Sequence, residues 1–388
     1  MPSDQTIRNR PRPAQGGGRL DTEPTSAPLR EAEEPGLQGE EERAGLPPGA
    51  LRWGATLFVF ASLLGFTALF VITQDLGGSL AGFRRFDLRW ALPALLLASL
   101  DWFGGGLRVW LLLRPLEIRV SYWRCVQISG ATAALAYLTP SGMGGGPAHL
   151  YGLARRGVSL GRAVASNFAS VFVNLTFLSL AGIGAWFFGA SSAIEELRLP
   201  VVDLSAAVLF EWSALGFGVI AGIVVALAAS PRLARGWVIR FFGTGRRVRG
   251  ALRLLHELHR SLVIYVRKGK VALILATLSG ALHFGGRFVL GWVVLRGFGI
   301  EAPFAHVVLL HVMLQFLLYF MPTPGGSGVG EVLAPAVMSP FLPDSLLVAY
   351  TAVWRFFLTY LTVGAGGLLL FRWVGSDHRR MAARRIHT

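Results

Sequence analysis

The sequence predicts an all-α protein that crosses a membrane several times, because its composition does not suit a surface exposed to water. Hydrophobic residues make up 53% of the 388 residues and charged residues only 15%, and the mean hydropathy is +0.52. A soluble domain usually carries about 25% charged residues. Apolar stretches of about 20 residues, the length that crosses a bilayer, recur along the chain. A soluble enzyme, a disordered protein and a disulfide-rich domain do not fit this composition.

Residues 1–50 predict a disordered tail. They are rich in Pro, Gly, Glu and Arg and show no apolar periodicity. The first apolar segment begins only near Trp53, so no cleavable signal is recognised. The single cysteine, Cys125, excludes an intramolecular disulfide and is expected to be a buried thiol.

Six apolar stretches predict full transmembrane helices. They lie at about 53–73, 88–113, 161–189, 205–229, 271–296 and 345–374. Two more stretches, 121–138 and 303–320, end in clusters of Gly and Pro and predict re-entrant helical hairpins. The transmembrane domain is thus expected to span 51–375, followed by a short basic tail at 376–388.

The distribution of positive charge predicts the orientation. The segment 230–270 holds eleven Lys and Arg residues against the single acid Glu257, so it is expected to face the cytoplasm. The acidic loop 190–204 is expected to face outside, and both termini are expected to be cytoplasmic. One loop does not follow the rule: it contains Arg84, Arg85 and Arg89, although this assignment places it outside the cell. The first hairpin then enters from the cytoplasm and the second from outside.

The two Gly/Pro clusters indicate an internal repeat. Both read T-P-x-G-x-G-x-G, and they align without gaps at an offset of 184 residues, from Thr139 to Thr323. Repeat 1 is expected to cover about 88–189 and repeat 2 about 271–374. With opposite hairpin orientations the repeats have inverted topology, which places a substrate site near the membrane midplane, where the broken helices meet.

The clusters suit the binding of an anion. Pro ends the incoming helix, Gly lets the backbone approach a ligand, and a restarting helix presents free N–H groups. The alternative is that the glycines only permit close helix packing. The candidate substrate-binding residues are Thr139, Pro140, Gly142, Gly144, Gly145, Gly146, His149, Arg287, Thr323, Pro324, Gly325, Gly326, Gly328, Gly330, Glu331 and Arg355.

Charged side chains inside membrane segments are costly, which makes each of them a candidate for the site. Arg355 is expected to pair with Glu331 or with a lipid phosphate, and Glu331 to gate the site or to carry a proton. Arg287 and His283 share one helix face. Asp101 and Arg108 also share a face, and a purely structural Asp101–Arg108 pair is the alternative there. His283 and His311 are expected to be hydrogen-bonded packing residues.

Several kinds of site are missing from the sequence. Neither glycine cluster is a phosphate-binding P-loop, and the Gly142–Gly146 run is not a dinucleotide-binding turn. There is also no HExxH motif and no plausible metal cluster. We therefore expect no cofactor, no metal and no enzymatic activity. The stretch 245–268 predicts an amphipathic helix with an Arg-rich face, which suits anionic lipid at the cytoplasmic surface and not nucleic acid.

These residues resemble the lysylphosphatidylglycerol synthase transmembrane-region family, also called the flippase-like or UPF0104 family. The resemblance covers about 53–374 and rests on four motifs. They are Pro322–Glu331, the helix Ala352–Tyr360 with Arg355, the first cluster continued through Tyr151–Ser159, and Arg108–Leu113. The sequence departs from the family at Gly146 and His149, where relatives often carry an acidic and then a basic residue.

The resemblance implies an integral membrane protein of the cell membrane that translocates a lipid. The chain ends at Thr388, shortly after the last predicted span, so we expect no synthase domain and no aminoacyl transfer. The first hypothesis is a flippase or transporter for an anionic phospholipid or a polyprenyl-phosphate-linked lipid. The alternatives are a non-transporting partner of a lipid-modifying or glycosylating enzyme, and a membrane-embedded enzyme that acts on lipid phosphate. The sequence leaves open a homo-oligomer or a partner enzyme.

Overall fold

The computed structural model describes residues 48–188 and 246–386, apart from 75 and 320, together with a few helical positions between 212 and 222. Within these residues the chain is all-helical and contains no β-strand. The helices are α1 (Pro48–Thr73), α2 (Leu76–Phe83), α3 (Ala91–Leu113), α4 (Tyr122–Tyr137), α5 (Gly145–Ala154), α6 (Leu160–Phe187), α7 (Arg246–Lys268), α8 (Lys270–Gly297), α9 (Phe304–Tyr319), α10 (Val329–Met338), α11 (Asp344–Arg355) and α12 (Leu361–Ile386).

Five stretches of the described helices are long and apolar enough to cross a membrane. They are Arg52–Thr73, Leu88–Leu116, Leu160–Phe187, Lys270–Gly297 and Asp344–Asp377. These stretches match five of the six predicted spans, and many of their large apolar side chains point outward, as lipid contact requires. Most of the sixth predicted span, 205–229, falls outside the described residues. So do nearly all of the predicted tail 1–50, the loop 190–204 and the first part of 230–270.

Helix boundaries recur at the same 184-residue offset as the Gly/Pro clusters. Helices α3 and α8 end at Leu113 and Gly297, and α6 and α11 begin at Leu160 and Asp344. Helices α5 and α10 both contain ten residues and begin at corresponding positions. The correspondence ends after Arg355, where the π-helical segment Phe356–Tyr360 joins α11 to α12. Up to Arg355, the order of a helix, a pair of helices separated by a short turn and a further helix therefore occurs twice at this offset.

Helices α3 and α8 cross at backbone contact distance because glycines line the crossing. A Cβ atom on Gly104 would lie 2.8 Å from the backbone nitrogen of His283, and one on Gly286 would lie 2.6 Å from the carbonyl oxygen of Leu97. On its other side α3 meets α4, where a Cβ on Gly106 would lie 2.8 Å from the nitrogen of Val126. Small residues of this kind are the usual means of close helix approach in membranes.

A polar cluster joins the C-terminal end of α5 to the C-terminal half of α12. The Tyr151 hydroxyl donates to Asp377 Oδ2 at 2.6 Å, and Arg155 Nη2 donates to Asp377 Oδ1 at 2.8 Å. The Arg155 guanidinium also lies 5.3 Å from the ring centre of Trp373. We call these residues the Tyr151–Asp377 cluster. It fixes the short helix that follows the first break.

The helix predicted for 245–268 is confirmed as α7. It continues into α8 through Gly269, and its Tyr265 hydroxyl donates to the carbonyl oxygen of Leu112 at 2.7 Å. Tyr265 is buried, so α7 is attached to the end of α3. Cys125 is also buried, as predicted.

Candidate functional site

Both Gly/Pro clusters interrupt the helices as short 3-10 turns, Pro140–Gly142 and Pro324–Gly326. Two consecutive residues in each turn have positive φ: Ser141 and Gly142 at 52° and 69°, and Gly325 and Gly326 at 58° and 66°. These positions correspond at the 184-residue offset. Because left-handed backbone cannot continue an α-helix, the chain changes direction there before α5 and α10 begin.

The two breaks lie against each other. A Cβ atom on Gly325 would be 3.2 Å from the carbonyl oxygen of Tyr137, at the end of α4, and 3.3 Å from the Phe58 ring on α1. The first break is also bonded internally, since Thr139 Oγ1 accepts a hydrogen bond from the nitrogen of Gly144 at 2.8 Å. At the second break Thr323 Oγ1 is buried without a hydrogen-bond partner among the described residues.

A cavity of about 270 Å³ lies where the breaks meet. Its lining includes these residues that were singled out from the sequence: Arg108, Gly142, Gly145, Gly146, His149, His283, Arg287, Thr323, Gly325, Gly326 and Arg355. Three arginines line the cavity, and no aspartate or glutamate does so among the described residues. Among the described residues, the Asp, Glu, Lys and Arg side chains that line the cavity are therefore all arginines.

The remaining candidate residues do not line the cavity but lie next to the residues that do. Thr139, Pro140, Gly144, Pro324, Gly328 and Gly330 shape the turns, and Asp101 and Glu331 hold the arginines. Gly330 allows close packing, since a Cβ there would lie 3.3 Å from Arg355 Nη1. Gly328 has a φ of 82°, and its N–H donates to Glu331 Oε2 at 2.7 Å.

Glu331 and Arg355 form a buried ion pair next to the second break. Arg355 Nε donates to Glu331 Oε1 at 3.0 Å, and both side chains are almost completely buried, with 1% and 0% exposed. The Tyr360 hydroxyl donates to the same carboxylate oxygen at 3.1 Å. Since a buried charge is tolerated only when it is paired and hydrogen-bonded, this network explains the acid in an apolar helix.

All three guanidinium nitrogens of Arg355 have partners. Nη1 donates to the carbonyl oxygen of Gly325 at 3.2 Å and to Thr359 Oγ1 at 3.4 Å, and Nη2 donates to Ser327 Oγ at 3.3 Å. Arg355 therefore connects the second break to the π-helical segment. The expected Glu331–Arg355 pair is present, and its main effect is to hold the turn.

Asp101 pairs across the α3–α8 crossing. Its Oδ1 accepts from Arg287 Nη2 at 2.7 Å and lies 2.9 Å from His283 Nδ1. The same imidazole nitrogen lies 3.0 Å from the Asp101 carbonyl oxygen, so Nδ1 carries the proton. The interpretation of Asp101 and Arg108 as a structural pair is wrong, because Arg287 and His283 on the neighbouring helix take the carboxylate instead.

Arg108 bonds to a neutral partner on α6. Its Nη1 donates to Asn174 Oδ1 at 2.6 Å. The Asn174 side chain lies on one helical face with Asn167 and Ser170, and all three line the cavity. Sequence reasoning missed these residues, although their spacing of three and four in an apolar span was a signal that could have revealed them.

The buried histidines differ in position. His311 is a packing residue as predicted: its Nδ1 donates to the carbonyl oxygen of Val307 at 2.8 Å, and its Nε2 accepts from the Tyr350 hydroxyl at 3.0 Å. His149 lines the cavity, with Nε2 3.3 Å from Ser166 Oγ. Among the described residues, no group of three or more His, Cys, Asp or Glu side chains could hold a metal ion.

The chain between 54 and 366 matches the family model described as the lysylphosphatidylglycerol synthase TM region. The protein belongs to this family. The matched residues include both breaks, the Glu331–Arg355 pair and all three cavity arginines. A similar member is a UPF0104 membrane protein of Archaeoglobus fulgidus, which is 23% identical over 287 residues, covering 72% of this chain and 84% of that protein. The protein is thus an integral membrane protein of the lysylphosphatidylglycerol synthase TM-region family.

Proposed function

We propose that the protein moves an anionic lipid, a phospholipid or a polyprenyl-phosphate-linked lipid, between the leaflets of the cell membrane. The observation that carries the proposal is the cavity at the meeting point of the two breaks. Its wall presents Arg108, Arg287 and Arg355 and, among the described residues, no carboxylate. A cavity in a membrane protein with this charge favours a ligand that is itself anionic.

Because the cavity lies inside the protein, its arginines interact more strongly with an anionic ligand than they would in water. Coulomb interactions are several times stronger in a protein interior than in water. Arginine also matches the oxygens of a phosphate with parallel N–H donors. A lipid head group that leaves water would therefore exchange part of its hydration for these donors.

The repeat supports a transport mechanism. We propose that the halves, about 88–189 and 271–374, have inverted topology and that α4–α5 and α9–α10 are re-entrant hairpins. Supporting features are the shared helix boundaries, the paired left-handed residues and the contact between the breaks. In inverted-repeat transporters broken helices from both halves form the substrate site, and alternating access moves one half against the other.

The remaining expectations become part of the same proposal. The transmembrane domain covers 51–375, both termini face the cytoplasm, and the segments 230–270 and 376–388 meet anionic lipid at that surface. Their excess of Lys and Arg supports this placement. Lipids are then the main partners of the protein.

Leaflet exchange in vesicles tests the proposal. The full chain is reconstituted into phosphatidylcholine vesicles that contain fluorescent phosphatidylglycerol, phosphatidic acid or a polyprenyl phosphate. A membrane-impermeant reductant then bleaches the probe in the outer leaflet. With the protein present, we expect bleaching of at least one anionic probe to proceed beyond the outer-leaflet fraction.

A pair of glycine variants provides the matched control. Gly325 and Gly157 both have positive φ, but only a Cβ at Gly325 would contact the opposite break, since nothing lies within 4 Å of one at Gly157. Gly325→Ala should slow exchange more than Gly157→Ala. Equal exchange of all three probes with and without the protein would overturn the proposal and would favour the non-transporting partner of a lipid-modifying enzyme.

A further inference from the structure

We propose that Arg108 is the residue that binds the phosphate of the lipid head group, whereas Arg287 and Arg355 hold the walls of the cavity. This inference rests on the proposed function and assigns the ligand contact within that site. Three observations carry it: the partners of each arginine, the unpartnered donors around Arg108, and the neutral residue that positions it.

The three cavity arginines differ in their partners. Arg355 is bonded to the Glu331 carboxylate and Arg287 to the Asp101 carboxylate. Among the described residues, Arg108 has no carboxylate within ion-pair distance, and its only hydrogen bond goes to Asn174. Its charge is therefore the least compensated in the cavity wall.

Arg108 also has donor capacity left for a ligand. Only 8% of the residue is exposed, and its Nε is buried without a hydrogen-bond partner among the described residues. Such a group normally costs free energy that a ligand contact would recover. Arg287 Nε also has no partner among the described residues, but Nη2 of the same guanidinium donates a hydrogen bond to the Asp101 carboxylate.

Further buried donors of the lining surround the same space. The hydroxyls of Thr132, Tyr137 and Ser170 line the cavity and have no partner among the described residues. A phosphate group accepts several hydrogen bonds, and its negative charge would compensate the positive charge of Arg108. A neutral sugar or an ammonium head group would leave this arginine uncompensated, so the chemical class that fits is a phosphate ester.

Asn174 positions Arg108 but leaves its positive charge uncompensated, so that the charge can interact with a ligand. Its side-chain oxygen orients the guanidinium at 2.6 Å without neutralising it. An aspartate at this position would have nearly the same shape but would supply the carboxylate that the other two arginines already have. Asn174→Asp therefore removes the free charge while Arg108 stays in place.

Binding of short-chain lipid to the purified full chain tests the assignment. The probes are dihexanoylphosphatidylglycerol and, to distinguish a lipid from a free phosphate, glycerol 3-phosphate, each titrated by calorimetry in detergent. We expect Arg108→Gln and Asn174→Asp to weaken binding of the lipid at least about tenfold, the loss of one charge-assisted contact. Arg108→Lys should retain part of the affinity, and Arg119→Gln, an exposed arginine six residues after α3 ends, should leave it unchanged.

The outcomes separate the two proposals. If the wild-type chain binds and moves anionic lipid but Arg108→Gln and Asn174→Asp bind as it does, the assignment to Arg108 is wrong and the transport function stands. If the wild-type chain neither binds nor moves the lipid, the proposed function is wrong. Binding of glycerol 3-phosphate as tightly as the lipid would make the ligand a free phosphate compound. Asn174→Asp keeps the test valid even if Arg108→Gln does not fold.

Discussion

The Nε atom of Arg355 lies 3.0 Å from Oε1 of Glu331, with both side chains almost completely buried. The contact joins the last residue of α11 to the first turn of α10, and further donors of Arg355 reach Gly325 and Ser327 in the second break. One ion pair thus connects a helix end, a helix start and the turn that lines the cavity.

Removing either member of this pair should strongly destabilise the protein. Glu331→Gln and Arg355→Gln each leave a buried charge without its partner, which typically costs about 3–5 kcal/mol of unfolding free energy. The double variant should lose less unfolding free energy than the two single variants added together, because each single variant already removes the same ion pair. Denaturant unfolding in detergent measures these values.

The exposed pair of Arg296 and Glu301 provides the comparison. Its atoms lie 3.2 Å apart, with 34% and 86% of the two side chains exposed. Arg296→Gln should cost no more than about 1 kcal/mol, as surface pairs usually do. Strictly additive losses for Glu331 and Arg355 would show that the pair is not coupled.

Adjacent glycines in α8 should respond in opposite directions. A Cβ on Gly286 would lie 2.6 Å from the carbonyl oxygen of Leu97, whereas one on Gly285 would have nothing within 4 Å. Gly286→Ala should therefore separate α3 from α8 and cost about 1–3 kcal/mol. Gly285→Ala should be neutral or stabilising by up to about 1 kcal/mol, because alanine is the better helix former. Equal thermal unfolding midpoints for both variants would contradict the close crossing.

Ser141→Gly should stabilise the first break. Ser141 has a φ of 52° at the position that corresponds to Gly325. Left-handed backbone costs a residue with a side chain about 1–2 kcal/mol, and the greater freedom of glycine in the unfolded chain offsets part of that gain. A net increase of about 0.5–1 kcal/mol is expected in the same unfolding measurement. The adjacent Gly142→Ala should do the reverse, since its φ is 69° and its surroundings leave room for a Cβ.

Tyr151→Phe should loosen α5. The substitution removes the 2.6 Å hydrogen bond to Asp377, and bonds to charged groups contribute about 1.5–3 kcal/mol. Amide hydrogen exchange in α5 should therefore become roughly tenfold faster or more, if the helix opens locally. Asp344→Asn, at the exposed start of α11, is the control and should leave exchange in α5 unchanged. Unaltered exchange in Tyr151→Phe would mean that Arg155 alone holds the helix.

The sequence was sufficient to predict the elements whose signals are local. Apolar length located the described spans, and the Thr-Pro start at Thr139 and Thr323 located both breaks. The pairing of Glu331 with Arg355 followed from two costly charges on nearby apolar helices. Each of these inferences needed only residues close together in the sequence or a strong energetic penalty.

The partners of Asp101 and Arg108 required three-dimensional information. Helical spacing placed the two side chains on one face of α3, but the crossing angle of α8 and α6 decides which neighbours they meet. Arg287 and His283 therefore take the carboxylate, and Asn174 takes the guanidinium. The Tyr151–Asp377 cluster escaped prediction for the same reason, since its members are 226 residues apart.

The glycine crossing of α3 and α8 also determines which motions are easy. At the crossing α3 and α8 approach each other through backbone atoms at Gly104 and Gly286. The Asp101–Arg287 pair joins the two helices at the same place. For the transport function that we propose, we therefore expect this crossing to serve as the pivot about which α3 and α8 rotate when the cavity opens to either side of the membrane.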